Sequence, residues 1–179
     1  MPAGAHRIPE SWSEDRVLAI VAAHRDERGP LLPILHDIVA TYGFVDSQCV
    51  PVIAEALNLS RAEVHGVITF YRDFRTTPGG AVELRICRAE ACQSVGADAL
   101  LADAVERFGV ETGGTTADGR LTLDEVFCLG DCALGPAVMI DHEVHGRMDG
   151  ERLAGLVAQA VADATTQVAT TADSGTIAR

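Results

Sequence analysis

The sequence is short of positive charge. Its 14 Lys and Arg face 26 Asp and Glu, giving a formal net charge of −12 over 179 residues. A nucleic-acid backbone and an anionic membrane both recruit basic patches, so neither is expected as a main partner. Long apolar runs are also missing. The longest, Val17 to Ala23, falls well short of the roughly 20 residues that span a bilayer. Met1 to Glu10 holds Pro2, His6, Arg7 and Pro9 without an apolar signal core, which sets the expectation of a cytoplasmic protein. No internal repeat is present. Gly113-Gly114 has no following Lys-Ser/Thr, which excludes a phosphate-binding loop. Five cysteines is an odd number, which a complete disulfide framework would not leave. In a reducing compartment clustered cysteines point instead to metal ligands or catalytic groups.

What is present fits a folded chain. Hydrophobic residues make up 47% and charged residues 22%, which excludes global disorder, and the length suits one domain or two small ones. Apolar residues recur at helical spacing through Leu18, Val21 and Ala22, and again from Leu31 to Val39, where Pro30 suits a helix start. A third helix is expected over Val50 to Leu57. Ser60-Arg61-Ala62-Glu63 has the capping-box pattern and opens a fourth, with Val64, Val67, Ile68 and Tyr71 on one face. Thr76-Thr77-Pro78-Gly79-Gly80 breaks the pattern and marks a domain boundary.

Beyond it the period changes. Val82, Leu84 and Ile86 alternate with polar residues in a strand that ends at Cys87. A helix is expected from Ser94 to Phe108, with Gly109 as C-cap and Ser94 as a candidate N-cap. Gly113-Gly114 and Asp118-Gly119 sit in a loop or hairpin. Leu121 to Cys128 reads as a second strand ending at a cysteine. Two short strands, Ala137 to Ile140 and Glu143 to His145, precede a helix from Asp149 or Gly150 to about Asp163. Thr165 to Arg179 is Thr/Ala-rich and aperiodic, and is expected to be disordered. The fold class is thus α+β. A flexible N-terminus (1–14) leads into a helical bundle (15–77), a small α/β domain (78–164) and a tail (165–179).

The chemistry lies in the cysteines. Cys87 and Cys92 form C-x4-C, and Cys128 and Cys132 form C-x3-C. Each pair begins where a strand is expected to end, so two loops can converge at one end of a sheet and present four thiolates. Four thiolates satisfy either tetrahedral zinc or an iron–sulfur cluster. The wider spacings lean to a [2Fe–2S] cluster, since each iron takes two cysteines and the loops must wrap the bridging sulfides. The glycines of Leu129-Gly130-Asp131 and Gly135-Pro136 let backbone N–H groups point at sulfur. Cys49, alone in the helical half, reads as a structural thiol. His65, Phe70, Tyr71 and Phe74 read as packing or interface residues. Arg88 and Glu90 in the first ligand loop suit tuning of the site, a partner contact or plain solvation. No Ser–His–Asp or Cys–His set is present, and no catalytic residue is assigned.

Cys87-Arg88-Ala89-Glu90-Ala91-Cys92 and Cys128-Leu129-Gly130-Asp131-Cys132-Ala133-Leu134-Gly135-Pro136-Ala137-Val138-Met139 resemble the two cluster motifs of thioredoxin-like [2Fe–2S] ferredoxins. These include the 24 kDa subunit of respiratory complex I. Leu59 to Tyr71 is similar to that family's segment before its linker. The resemblance implies a helical bundle followed by a thioredoxin-like [2Fe–2S] domain. It implies Cys87 and Cys92 on one iron, Cys128 and Cys132 on the other, and docking beside a flavin- and NAD-binding subunit. Within the family, Arg88-Ala89-Glu90-Ala91-Cys92-Gln93-Ser94 most resembles the gamma subunit of molybdenum-containing NAD-dependent formate dehydrogenase. Complex I members usually carry Thr where this chain has Arg88, and many relatives carry Ala where it has Gly135.

That resemblance implies a non-catalytic electron-transfer subunit. Its partners would be a beta subunit with FMN and NAD and a molybdenum-containing alpha subunit, with further iron–sulfur clusters. The equivalent subunit of complex I or of an NAD-linked hydrogenase is the nearest alternative. A zinc-stabilised interaction module is the alternative of another class. A thiol–disulfide oxidoreductase is a weaker third, because C-x4-C is not the C-x-x-C such enzymes use.

Overall fold

The structure is a computed structural model and describes residues 11–174. The chain divides between Pro78 and Gly79 into two compact units. Among the described residues no helix is long and apolar enough to cross a membrane.

The first unit holds four helices: α1 (Glu14–His24), α2 (Leu31–Tyr42), α3 (Cys49–Leu57) and α4 (Arg61–Phe70). Their boundaries follow from local chemistry. Ser13 caps α1 by accepting from the Arg16 amide, and α2 and α3 end on left-handed Gly43 and Asn58. The expected capping box forms at α4: the Glu63 amide donates to Ser60 Oγ at 3.1 Å, and the Ser60 amide donates to Glu63 Oε2 at 2.8 Å. Helically spaced apolar residues turn inward, and Val17, Ile34, Leu35, Ile38, Ile53 and Val64 are fully buried in one core. Tyr71 falls just past α4 and is partly exposed, whereas Phe74 is buried and Phe70 stands 78% exposed.

On the surface of this unit His24 sits between two carboxylates. Its Nε2 is 2.7 Å from Asp37 Oδ2 and its Nδ1 is 2.9 Å from Glu27 Oε1. The bond to Asp37, then that to Glu27, raises the imidazole above its ordinary value. A raised folded-state pKa stabilises fully below the unfolded value of about 6.5, and that stabilisation is lost as pH rises through the folded value. The melting advantage of wild type over His24→Gln is therefore expected to be largest at pH 6 and to shrink as pH rises through and above neutrality. Parallel thermal melts of the two proteins check this, and a pH-independent difference would contradict it.

The second unit is a five-stranded mixed sheet with three helices. In chain order come β1 (Val82–Cys87), a single-turn α5 (Glu90–Gln93), α6 (Ala97–Phe108), β2 (Gly114–Thr115), β3 (Leu121–Val126), β4 (Val138–Ile140), β5 (Glu143–His145) and α7 (Gly150–Ser174). The sheet order is β2-β3-β1-β4-β5. β1 lies at the centre, parallel to β3 and antiparallel to β4. Alternation places Val82, Leu84 and Ile86 in the core with Leu123, Val138, Leu153 and Val157.

Of the loop or hairpin expected around Asp118-Gly119 the structure forms the hairpin, pairing the short strand β2 with β3. Three sequence expectations are corrected. β3 ends at Val126, before Cys128. Ser94 does not cap α6: it ends α5, its hydroxyl donates to the Ala91 carbonyl at 2.8 Å, and left-handed Gly96 precedes α6. α7 continues to Ser174, through most of the segment expected to be disordered. An established helix extends without a new nucleation cost, and alanine favours the extension. Ala164 packs into the sheet core, while Thr165 and Thr166 return their hydroxyls to carbonyls one turn back. Residues 175–179 of that tail, and 1–10 of the expected flexible N-terminus, lie outside the described residues.

Candidate metal centre

The site follows from the parallel pairing. β1 and β3 run side by side with Cys87 opposite Val126, so both strands lead out at the same end of the sheet. Loops at the C-terminal ends of adjacent parallel strands converge, which is why such ends collect ligands. The first loop carries Cys87 and Cys92, the second Cys128 and Cys132. The Cys87 amide donates to the Ala137 carbonyl at 3.0 Å, and the Arg88 amide to the Val126 carbonyl at 2.7 Å. Those bonds tie the first loop to both flanks of the second.

The two thiol pairs differ in setting. Cys87 and Cys92 are buried with Ala97 and Ala137, whereas Cys128 and Cys132 are exposed. The Cys128 and Cys132 sulfurs are 3.7 Å apart. Two ligands of one tetrahedral ion with metal–sulfur bonds of about 2.3 Å stand about 3.8 Å apart, so this pair already has the separation of ligands on one metal. Cys128 has φ of 131°, a left-handed value that costs a non-glycine residue on the order of 1–3 kcal/mol. In that conformation the Gly130 amide donates to Cys128 Sγ at 3.3 Å. Among the described residues no group of three or more His, Cys, Asp or Glu surrounds one point closely enough to hold a single ion.

The electrostatics favour the protonated thiols at Cys92 and Cys132. Burial, then the neighbouring Cys87, pushes the Cys92 thiol up against the opposing effect of the Ala137 amide. The contact with Cys128 and the repulsion between the two sulfurs, then burial, push Cys132 up. A bound cation reverses both penalties and displaces the thiol protons, so metal loading is coupled to proton release. The Gly130 amide donates to Cys128 Sγ, and the Ala137 backbone favours the Cys92 thiolate, so both suit charged sulfur.

Arg88 is not a solvated loop residue. Its Nε lies 2.8 Å from Asp98 Oδ1, an ion pair rather than an aligned hydrogen bond, and its Nη1 lies 3.4 Å from Glu125 Oε2. It therefore pins the first loop to α6 and β3. Glu90 is exposed. Cys49 is fully buried in the helical unit, where burial raises its thiol and Trp12 contacts it. His65 is exposed. A cavity of about 610 Å³ in the helical unit is lined by Leu31, Leu32, Leu57 and Leu59, with no cysteine, histidine or carboxylate. Sequence reasoning missed the Ala137 amide and the role of the 146–148 segment behind the second loop. The lone Gly146 ahead of a helix is the only sign of the latter in the sequence.

The sheet unit thus carries two thiol pairs on the loops that follow adjacent parallel strands. Residues 17–161 match the family of thioredoxin-like [2Fe–2S] ferredoxins, and the chain belongs to that family. It is 32% identical over 143 residues to an NADH-quinone oxidoreductase subunit of Rhizobium meliloti, covering 80% of this chain and 85% of that one. It is 36% identical to the corresponding NADH-quinone oxidoreductase subunit of Pseudomonas aeruginosa, covering 71% of this chain and 78% of that one. It is 30% identical to the HndA subunit of the NADP-reducing hydrogenase of Solidesulfovibrio fructosivorans, covering 74% and 77%. Among solved structures it resembles the air-oxidised NAD+-reducing [NiFe]-hydrogenase, with a TM-score of 0.63 and 26% identity over 74% of this chain. It spans only 23% of that hydrogenase chain.

Proposed function

We propose that this chain is the electron-transfer subunit of an NAD-linked oxidoreductase complex, with Cys87 and Cys92 ligating one iron of a [2Fe–2S] cluster and Cys128 and Cys132 the other. The observation that carries this reading is the delivery of both thiol pairs to one end of the sheet, the outer pair already 3.7 Å apart. Such a cluster supplies one-electron reduction and reoxidation. The chain's own part is to hold four thiolates, favour charged sulfur through the Gly130 amide and the Ala137 backbone, and shelter the inner pair.

The complex is an NAD-dependent formate dehydrogenase, in which a molybdenum-containing alpha subunit oxidises formate and a flavin- and NAD-binding beta subunit passes the electrons to NAD+. Supporting this are the loop residues 88–94, whose Arg88 is built into the site through Asp98 and Glu125. The second reading is the equivalent subunit of an NADH:quinone oxidoreductase or an NAD-linked hydrogenase, and the names of the similar proteins favour it. Co-purification from the native cell with metal analysis separates them. A brown complex containing molybdenum and oxidising formate with NAD+ supports the first reading. Nickel or a membrane arm in its place supports the second. A colourless chain with one zinc overturns both.

The docking face surrounds the exposed thiols. Phe127 is 65% exposed, Val95 53% and Leu134 37%, an apolar collar of the kind a partner protein covers. Phe127→Asp is expected to weaken retention of the beta subunit about tenfold or more, the loss of roughly 1.4 kcal/mol, while iron content stays at the wild-type level. Pull-down against a titration of partner, with iron assayed in parallel, checks this.

A further inference from the structure

Behind the second cysteine loop runs the segment Gly146-Arg147-Met148. The Arg147 amide donates to the Leu134 carbonyl at 2.5 Å, and the Met148 amide to the Pro136 carbonyl at 3.0 Å. Cys132 opens the single 3₁₀ turn that ends at Leu134, so these bonds grip the turn carrying a proposed ligand. Gly146 lies against that turn. A Cβ there would stand 2.6 Å from Leu134 Cβ, 2.7 Å from the Leu134 carbonyl oxygen and 2.8 Å from Asp131 Oδ2. Its φ is not positive, so the need for glycine is one of space and not of backbone conformation. Arg147 next to it is left-handed, with φ of 51°.

The segment is anchored in turn to α7. Arg152 Nη1 donates to the Gly146 carbonyl at 2.8 Å and lies 3.3 Å from the Arg147 carbonyl. Asp149 Oδ1 accepts from the Arg152 amide at 2.8 Å, fixing the first turn of α7, and Met148 is buried in the sheet core.

We propose that Gly146 and Arg152 are positioning residues for the metal centre: they clamp segment 146–148 as a buttress that sets where Cys132 stands relative to Cys128. This rests on the cluster reading above. The potential and spectrum of an iron–sulfur group depend on sulfur geometry and on N–H donors to sulfur, so a displaced buttress is read out there. Gly146→Ala crowds Leu134 and Asp131, so the contact between segment 146–148 and the Cys132 turn must shift. Arg152→Gln releases the two carbonyls, and Arg152→Lys retains one charged donor.

The test uses the full chain, loaded anaerobically, with iron content, reduced EPR spectrum, redox titration and thermal melt measured on each variant. Gly146→Ala and Arg152→Gln are expected to shift the g-values and midpoint potential, with Arg152→Lys returning them toward wild type. Gly155→Ala, on the same helix with open space at its Cβ, should leave both unchanged. Should Gly146→Ala fail to fold, the Arg152 pair decides. Loaded variants with wild-type g-values and potential overturn the buttress alone. A wild-type chain that takes up no iron overturns the cluster reading and this inference together.

Discussion

Cys128→Ser, loaded anaerobically beside wild type, is expected to lose or reshape the reduced EPR signal, with iron falling well below the about two per chain of a [2Fe–2S] protein. Serine keeps the shape but replaces a soft thiolate with a hydroxyl that stays protonated at neutral pH, and iron in this kind of site selects sulfur. The substitution also removes the acceptor of the Gly130 amide and one member of the 3.7 Å pair. Cys87→Ser should do the same from the buried side, where the lost sulfur sits at the end of the central strand. Cys49→Ser is the control. Cys49 belongs to the helical core, so its replacement is expected to leave the spectrum alone. An unchanged reduced spectrum in either Cys87→Ser or Cys128→Ser would remove that residue from the ligand set.

The second large effect is on stability. Leu84 is fully buried in β1, in register between Leu123 of β3 and Ile140 of β4. Leu84→Ala leaves a cavity at the middle of the sheet, where neither neighbouring strand can move in without breaking its own ladder. Core truncations of this kind cost about 2–5 kcal/mol, and the melting midpoint is expected to drop on the order of 10 °C or more. Leu18→Ala, at a residue 42% exposed, should shift the midpoint by far less. Calorimetry of the two variants against wild type checks the contrast. Equal shifts would mean that Leu84 does not carry the core.

How far these features were legible depends on the range of the forces that make them. The alternation of Val82, Leu84 and Ile86 predicts β1, and Ser60 with Glu63 predicts the start of α4, because both are set within a few residues. The cysteine spacing predicts that two loops meet, and the structure brings both to the ends of parallel neighbours. β2 is different. Two residues, Gly114 and Thr115, have no periodicity of their own and become a strand only because β3 offers its edge. Ser94 shows the same limit from the other side. A serine before a helix has two partners within reach, and the single turn of α5 takes its hydroxyl first. The end of α7 was hidden because Thr and Ala carry no pattern once a helix is already running. Segment 146–148 was hidden because its partners at 134 and 136 are brought to it by the sheet.

The unequal shelter of the two thiol pairs also orders the risks the chain meets before its metal arrives. Cys128 and Cys132 are exposed and close, so air can join them into a disulfide after a small movement of one loop. Cys87 and Cys92 are screened by alanines and reach oxidants far more slowly. A chain left in air before loading is therefore expected to join the outer pair first. On the ligand set proposed above, a reductant or prompt delivery of iron at that one loop then decides whether the centre assembles.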